Sequence, residues 1–314
     1  MNKKYIFGPV PSRRLGYSLG IDLVEKKYCT YDCIYCEVGK TTNNIVERID
    51  FHNDELIVSQ IEKFLKDYTG RIDCITFTGS GEPTLNIKMG KILNEVKKIT
   101  TLPITLLTNG SLFFREDVRI ESMGFDIVIP SLDSVSEESF VKVNQPNKEL
   151  KLSNIIEGLI KFSKDYRGKI FLEILLVKGV NDSDNDLIGL RKVIEKMRVD
   201  KIQINTVVRP PAYSEAKPIG EDDKERIKNL LGDFVQLDLI FSGKDMNNKT
   251  NVGKDEVKEL LKRRPCTFDQ ISVSLGIDSE RLKIIIEELE RDLKDKLKID
   301  KFDGEFYYKV LENE

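Results

Sequence analysis

From about residue 19 to about residue 240, short β-rich runs alternate with segments of helical period, a rhythm that folds only as a layered α/β domain around a parallel sheet. Strands are expected at Leu19–Val24, Ile72–Thr78, Ile104–Thr108, Asp126–Leu132, Ile170–Val177 and Lys201–Val207, with a candidate seventh at Val235–Phe241. Helices fit the intervals at Asp54–Tyr68, Lys88–Ile99, Ser136–Val143, Ser153–Tyr166, Asp184–Met197 and Glu221–Leu231. In the first of these, Leu56, Ile57, Ile61, Phe64 and Leu65 share one face, and Asn53 is placed to cap the N-terminus.

The pattern breaks at residues 242–252, a polar, turn-rich stretch read as a linker after a core domain of residues 1–241. Beyond it, Asp255–Arg264, Thr267–Leu275 and Ser279–Leu293 read as three helices, followed by strands at Leu297–Asp300 and Glu305–Val310 about an Asp303-Gly304 turn. Three helices and a hairpin over residues 253–314 describe a winged helix-turn-helix unit. Its third helix carries Arg281, Lys283 and Arg291 against Glu280, Glu287, Glu288, Glu290 and Asp292, so a phosphate backbone would repel it and duplex DNA is not the expected partner. The unit is expected to dock a protein or peptide, or to pack on the core and shape the entrance to a substrate site.

Charge supports the same reading, since 50 Lys and Arg nearly balance 53 Asp and Glu and leave no global basic footprint for nucleic acid. No apolar run approaches the ~18 residues of a membrane span, and the opening Met1-Asn2-Lys3-Lys4-Tyr5 lacks a signal-peptide apolar stretch, so a cytoplasmic protein is expected. With one histidine, His52, a multi-histidine metal site is excluded within one chain and a Cys-His triad nearly so.

Of the five cysteines, Cys29, Cys33 and Cys36 form a CxxxCxxC loop just beyond the first expected strand, where a parallel sheet carries its site. Three thiolates on such a loop suit three irons of a cubane cluster and leave the fourth iron open. Zinc is the alternative, although a structural zinc site wants a fourth Cys or His that the rest of the chain supplies poorly.

The cysteine loop with aromatic Tyr35 before the third cysteine resembles the radical S-adenosylmethionine (radical SAM) superfamily. Further elements recur in order: Thr78-Gly79-Ser80-Gly81-Glu82-Pro83 is similar to the family's Gly-Gly-Glu element with Ser80 for the first glycine. Leu107-Thr108-Asn109-Gly110 and Ser131-Leu132-Asp133 follow at later strand ends, and Asn144-Gln145-Pro146 then completes a segment similar to the branch containing glycyl-radical activases and wyosine-type tRNA enzymes. The opening Phe7–Gly16 segment and Asn205–Pro211 look like the wyosine synthetase-like subgroup. The resemblance implies a partial (βα)6 TIM-like barrel, a [4Fe–4S] cluster on Cys29, Cys33 and Cys36, and S-adenosylmethionine as cofactor. It implies reductive cleavage to a 5′-deoxyadenosyl radical that takes hydrogen from a substrate, with an electron donor such as ferredoxin or flavodoxin. The substrate, whether RNA base, peptide, protein or small molecule, is encoded in no motif. A reading from another class is a cluster-sensing DNA-binding regulator or an electron-transfer protein.

Under this resemblance Glu82 and the backbone about Ser80 and Gly81 would accept from the cofactor's ammonium, with Gly81 admitting close approach. Tyr35 would lie against adenine, and Asn109, Ser131 and Asp133 would reach ribose or amino-acid groups, with Glu173 and Asn205 behind them. Arg209, before Pro210-Pro211, is a candidate at a strand end, and Arg13-Arg14 a weaker one for an anionic substrate group. Cys74 reads as a core residue and His52 as a surface or capping residue.

Overall fold

The computed structural model describes residues 3–12, 14–232, 235–237 and 252–311. Its strands are β1 (Ile6–Ser12), β2 (Gly16–Asp22), β3 (Tyr28–Cys29), β4 (Asn43–Asn44), β5 (Cys74–Thr78), β6 (Ile104–Thr108), β7 (Ile127–Pro130), β8 (Lys169–Leu176), β9 (Lys201–Thr206), β10 (Val235–Leu237), β11 (Leu297–Phe302) and β12 (Glu305–Val310). One sheet runs β1-β2-β5-β6-β7-β8-β9-β10 and curls into an open half-barrel. β1 pairs antiparallel with β2, and every later neighbour in the sheet is parallel.

The period-2 alternation of the strands decides which way the sheet faces. Leu19 and Ile21 of β2 and Ile75 and Phe77 of β5 are fully buried in the main apolar core. Ser18, Gly20, Thr76 and Thr78, the intervening residues, line an internal cavity. Large side chains therefore fill the sheet-to-helix layer, while small and polar ones leave the concave face hollow. The helices lie close to their expected spans, at Asp54–Asp67, Met89–Ile99, Glu137–Asn144, Leu152–Asp165, Asp184–Ile194 and Asp223–Leu231. Asn53 does cap the first, its side chain accepting from Leu56 N at 3.0 Å.

Several boundaries differ from expectation. The first parallel strand starts at Gly16 and ends at Asp22, and it is preceded by β1, whose Gly8-Pro9 and Pro11 hid it from strand rules that hold for central strands but not for an edge. The helix Glu116–Ser122 is too short to show a period. Of the candidate seventh strand only Val235–Leu237 falls within the described residues, and Arg13 and residues 242–251 of the linker lie outside them.

After the linker come helices Lys254–Arg263, Phe268–Leu275 and Ser279–Leu293 and the β11–β12 hairpin, a winged-helix arrangement with its own core of Val257, Leu261, Ile271, Leu282 and Leu289. The unit packs on the barrel. Tyr307 donates its hydroxyl to Val208 O at 2.9 Å, Lys26 Nζ donates to Lys262 O at 3.4 Å, and Arg263 reaches Asp22 of β2.

His52 is buried, contrary to the surface position expected from its polar neighbours, with the Tyr5 ring at 4.8 Å and the Phe51 ring at 6.1 Å. Burial pushes its pKa below the ordinary value of 6.5, with Lys3 adding to the effect. The unfolded chain thus takes a proton on His52 at a higher pH than the folded one. Stability from neutral His52 is complete above the unfolded value and is lost as the pH falls from about 6.5 toward the folded value. Urea midpoints at pH 7.5 and 5.5 are expected to fall further for the wild type than for His52→Gln, and equal falls would refute this account.

Candidate functional site

The crossover from β2 to the helix Asp54–Asp67 carries Cys29, Cys33 and Cys36, all reduced and partly exposed, whereas Cys74 and Cys266 are buried. Little regular structure supports the loop, apart from the two-residue pair of β3 and β4, so it is held by hydrogen bonds to the turn after β5 and to the end of the helix Glu137–Asn144 and the residues after it. On one side Lys27 N donates to Ser80 O at 2.9 Å and Glu82 N to Tyr28 O at 2.9 Å. On the other, Asp32 N donates to Asn144 O at 3.0 Å, Ile34 N to Val143 O at 3.0 Å and Asn147 N to Thr30 O at 2.9 Å. The room at Gly81 is taken by this backbone contact: a Cβ there would stand 1.8 Å from Tyr28 O. Gly81 admits the cysteine loop itself.

Glu82 is the hub on the first side. Its Oε1 accepts from Thr84 N at 3.0 Å, Thr84 Oγ1 at 2.5 Å and Thr108 Oγ1 at 2.6 Å, and its Oε2 from Asn109 N at 2.7 Å. The carboxyl is 1% exposed, and burial pushes its pKa up against these hydrogen bonds. Asn109 continues the chain of contacts, donating Nδ2 to Thr30 Oγ1 at 2.8 Å, 3.6 Å from Cys29 Sγ.

Asp133 is the hub on the second side. Its Oδ2 accepts from Tyr35 Oη at 2.5 Å and Asn144 Nδ2 at 2.7 Å, and its Oδ1 from Leu175 N at 2.9 Å. Burial raises this carboxyl as well. The same Asn144 amide lies 3.4 Å from Cys33 Sγ. Ser131 pairs with Glu173 as a parallel bridge that extends the β7–β8 ladder. Burial pushes the Cys29 thiol up to about 12 and the Cys33 thiol well above its ordinary range. Among the described residues no three His, Cys, Asp or Glu side chains converge as ligands of one metal ion.

The hollow of the half-barrel is a cavity of about 400 Å³ beside this loop. Of the expected site residues, Ser80, Glu173, Asn205 and Arg209 line it; Tyr35, Gly81, Glu82, Asn109, Ser131 and Asp133 do not. Arg14 Nη1 pairs with Glu173 Oε1 at 2.6 Å, and Asn205 Nδ2 donates to the same oxygen. Arg209 is buried and pairs through Nη1 with Glu37 Oε1 at 2.7 Å, which ties the residue after Cys36 to the end of β9. Burial opposes ionisation of Glu37, but Arg209 and Arg264 hold its carboxyl below the usual range.

Sequence reasoning missed Asp22, Glu37 and Arg263. Asp22 accepts from Ser80 N at 3.0 Å and from Ser80 Oγ at 2.7 Å, and it pairs with Arg263 Nη1 at 3.0 Å. Arg263 also stacks on the Phe7 ring, its guanidinium carbon 4.1 Å from the centroid. A strand-end carboxylate was a readable signal for Asp22; for Arg263 there was none, since its partner lies 241 residues away.

The Radical SAM superfamily profile matches residues 27–190, a span that begins at the cysteine loop and ends in the helix before β9. The chain therefore belongs to the radical SAM superfamily and carries its catalytic domain. Among individual proteins it is 37% identical to the UPF0026 protein MJ1312 of Methanocaldococcus jannaschii over 85% of this chain and 88% of that one. It is 34% identical to a Brachyspira hyodysenteriae protein called GTPase Obg over 92% of this chain, but it spans only 43% of that protein. The fold is shared with TYW1 in its structure with a bound lysine-pyruvate adduct, at 18% identity and a TM-score of 0.52 over 68% of this chain and 72% of that one.

Because Gly81 is packed against backbone that cannot yield as a side-chain tip can, Gly81→Ala is expected to cost about 1–3 kcal/mol. Urea unfolding measures it; a variant as stable as wild type would show that the Tyr28 contact is not fixed.

Proposed function

We propose that Cys29, Cys33 and Cys36 hold a [4Fe–4S] cluster through three of its irons and that S-adenosylmethionine binds beside it in the half-barrel. The observation that carries this reading is the hydrogen-bonded attachment of the cysteine loop to the Ser80–Glu82 turn at the rim of the cavity. A cubane is preferred to a single zinc because three thiolates can each take a different iron, whereas a structural zinc site wants a fourth Cys or His that the chain supplies poorly. When bound, the cluster supplies the electron that cleaves the sulfonium to methionine and a 5′-deoxyadenosyl radical, which takes hydrogen from a substrate.

The protein's part is placement. Asn109 and Asn144 bring amide donors to Cys29 and Cys33, where they would stabilise thiolate sulfur in a buried setting. Glu82 Oε2 carries one protein donor and retains a lone pair for the cofactor's ammonium. Ser80, Glu173, Asn205 and Arg209 would face cofactor and substrate from the cavity wall, with Tyr35, Ser131 and Asp133 supporting the cysteine loop from behind it. The Phe7–Gly16 and Asn205–Pro211 segments are the features that favour a place near the wyosine synthetase-like subgroup. Ferredoxin or flavodoxin would supply the electron. No helix among the described residues is long and apolar enough to cross a membrane.

Anaerobically reconstituted protein is expected to bind four irons with sulfide and to form 5′-deoxyadenosine from S-adenosylmethionine on dithionite reduction. Alanine at Cys29, Cys33 or Cys36 abolishes both; tight zinc without sulfide would sink the reading. Glu82→Gln keeps the size of the side chain but removes the charge and turns one acceptor into a donor, so S-adenosylmethionine affinity is expected to fall roughly tenfold, the worth of one charge-assisted hydrogen bond, with some loss of cluster content as the loop loosens. Unchanged affinity, measured by titration calorimetry, takes Glu82 out of the site.

A further inference from the structure

The cavity is not made by the barrel alone. Leu260, Arg263 and Arg264, from the end of the first winged-helix helix, form part of its wall. Among the described residues four arginines, Arg14, Arg209, Arg263 and Arg264, line it together with three carboxylates, Asp22, Glu37 and Glu173, one positive charge in excess. The pairing is one to one: Arg14 with Glu173, Arg209 with Glu37, Arg263 with Asp22. Arg264 is the fourth: half-buried and with no close ion pair of its own among the described residues, it adds to the charge that Arg209 sets on Glu37. Beside it Arg263 Nε is buried without an acceptor. A half-buried charge outside the one-to-one pairs and a buried unmatched donor on the same wall leave room for a ligand to complete them.

We propose that this wall is an oxyanion site, and that the substrate is a small molecule whose phosphate or carboxylate is gripped by Arg264 and Arg263 of the winged-helix unit. The inference rests on the reading of the cavity as the radical site. Cofactor carboxylate is the competing source of the same chemistry. The substrate is favoured because both arginines lie outside residues 27–190, the span common to a superfamily that shares the cofactor. The winged-helix unit thus serves as a fixed cover that selects the substrate by charge, and a guanidinium pair suits a planar or tetrahedral oxyanion.

Titration calorimetry of the full chain with inorganic phosphate and, separately, with acetate at constant ionic strength tests this. Wild type is expected to bind at least one of the two saturably, Arg264→Ala to bind it at least tenfold more weakly, and Arg264→Lys to recover part of the loss. S-adenosylmethionine affinity should be unchanged in Arg264→Ala. Three results would overturn the proposal: no saturable binding of either anion to wild type, equal affinity in Arg264→Ala, or a loss of S-adenosylmethionine affinity in that variant. Binding of the bare anions requires neither cluster nor turnover. Failure to form 5′-deoxyadenosine would therefore count against the radical reading alone and leave the oxyanion result legible.

Discussion

Two buried carboxylates hold this molecule's site together. The cysteine loop has almost no secondary structure of its own, so its shape has to be imposed by the strand ends it crosses. Glu82 gathers donors from its own turn and from the end of β6, and Asp133 gathers them from Tyr35, Asn144 and the backbone of β8. Asn109 and Asn144 then extend each hub to a cysteine. Burying an acid is expensive unless its lone pairs are filled, and here filling them is what stitches four strand ends to one loop.

The second constraint is the inequality between the two faces of the sheet. Aliphatic and aromatic residues fill the layer under the helices, while Ser18, Gly20, Thr76 and Thr78 leave the concave side empty. Gly20 is open for a specific reason, since the Phe7 ring of the edge strand β1 lies where a side chain would stand, 2.2 Å from the Cβ position. Phe7 in turn carries Arg263. The edge strand, the barrel mouth and the winged-helix unit are thus one packed assembly, joined through a ring and an ion pair to the Asp22 that also orients Ser80. The wall of the cavity is drawn from both ends of the chain.

Much of this was legible in the sequence. The βα rhythm placed six parallel strands and six of their helices to within a few residues, because period and capping are local properties; Asn53, Ser136 and Ser183 cap helices through their own side chains. The CxxxCxxC loop, the Gly-Ser-Gly-Glu-Pro turn and the Asn-Gly and Ser-Leu-Asp strand ends announced a site by their order along a parallel sheet. His52 was misjudged for the opposite reason. Its polar neighbours Asn53 and Asp54 suggest the surface, but in space it lies against the ring of distant Tyr5 as well as that of the adjacent Phe51.

The amino-acid sequence by itself therefore determined the class of fold, the three thiols and their superfamily, since each depends on spacing within a few turns of chain. Tertiary structure alone decided what the site residues do to one another. Gly81 makes room for the backbone of Tyr28, Glu82 and Asp133 are hubs away from the cavity wall, and Arg263 meets Asp22 across 241 residues. Burial and hydrogen-bond partnership depend on which distant segments are folded together, and no local pattern carries that information.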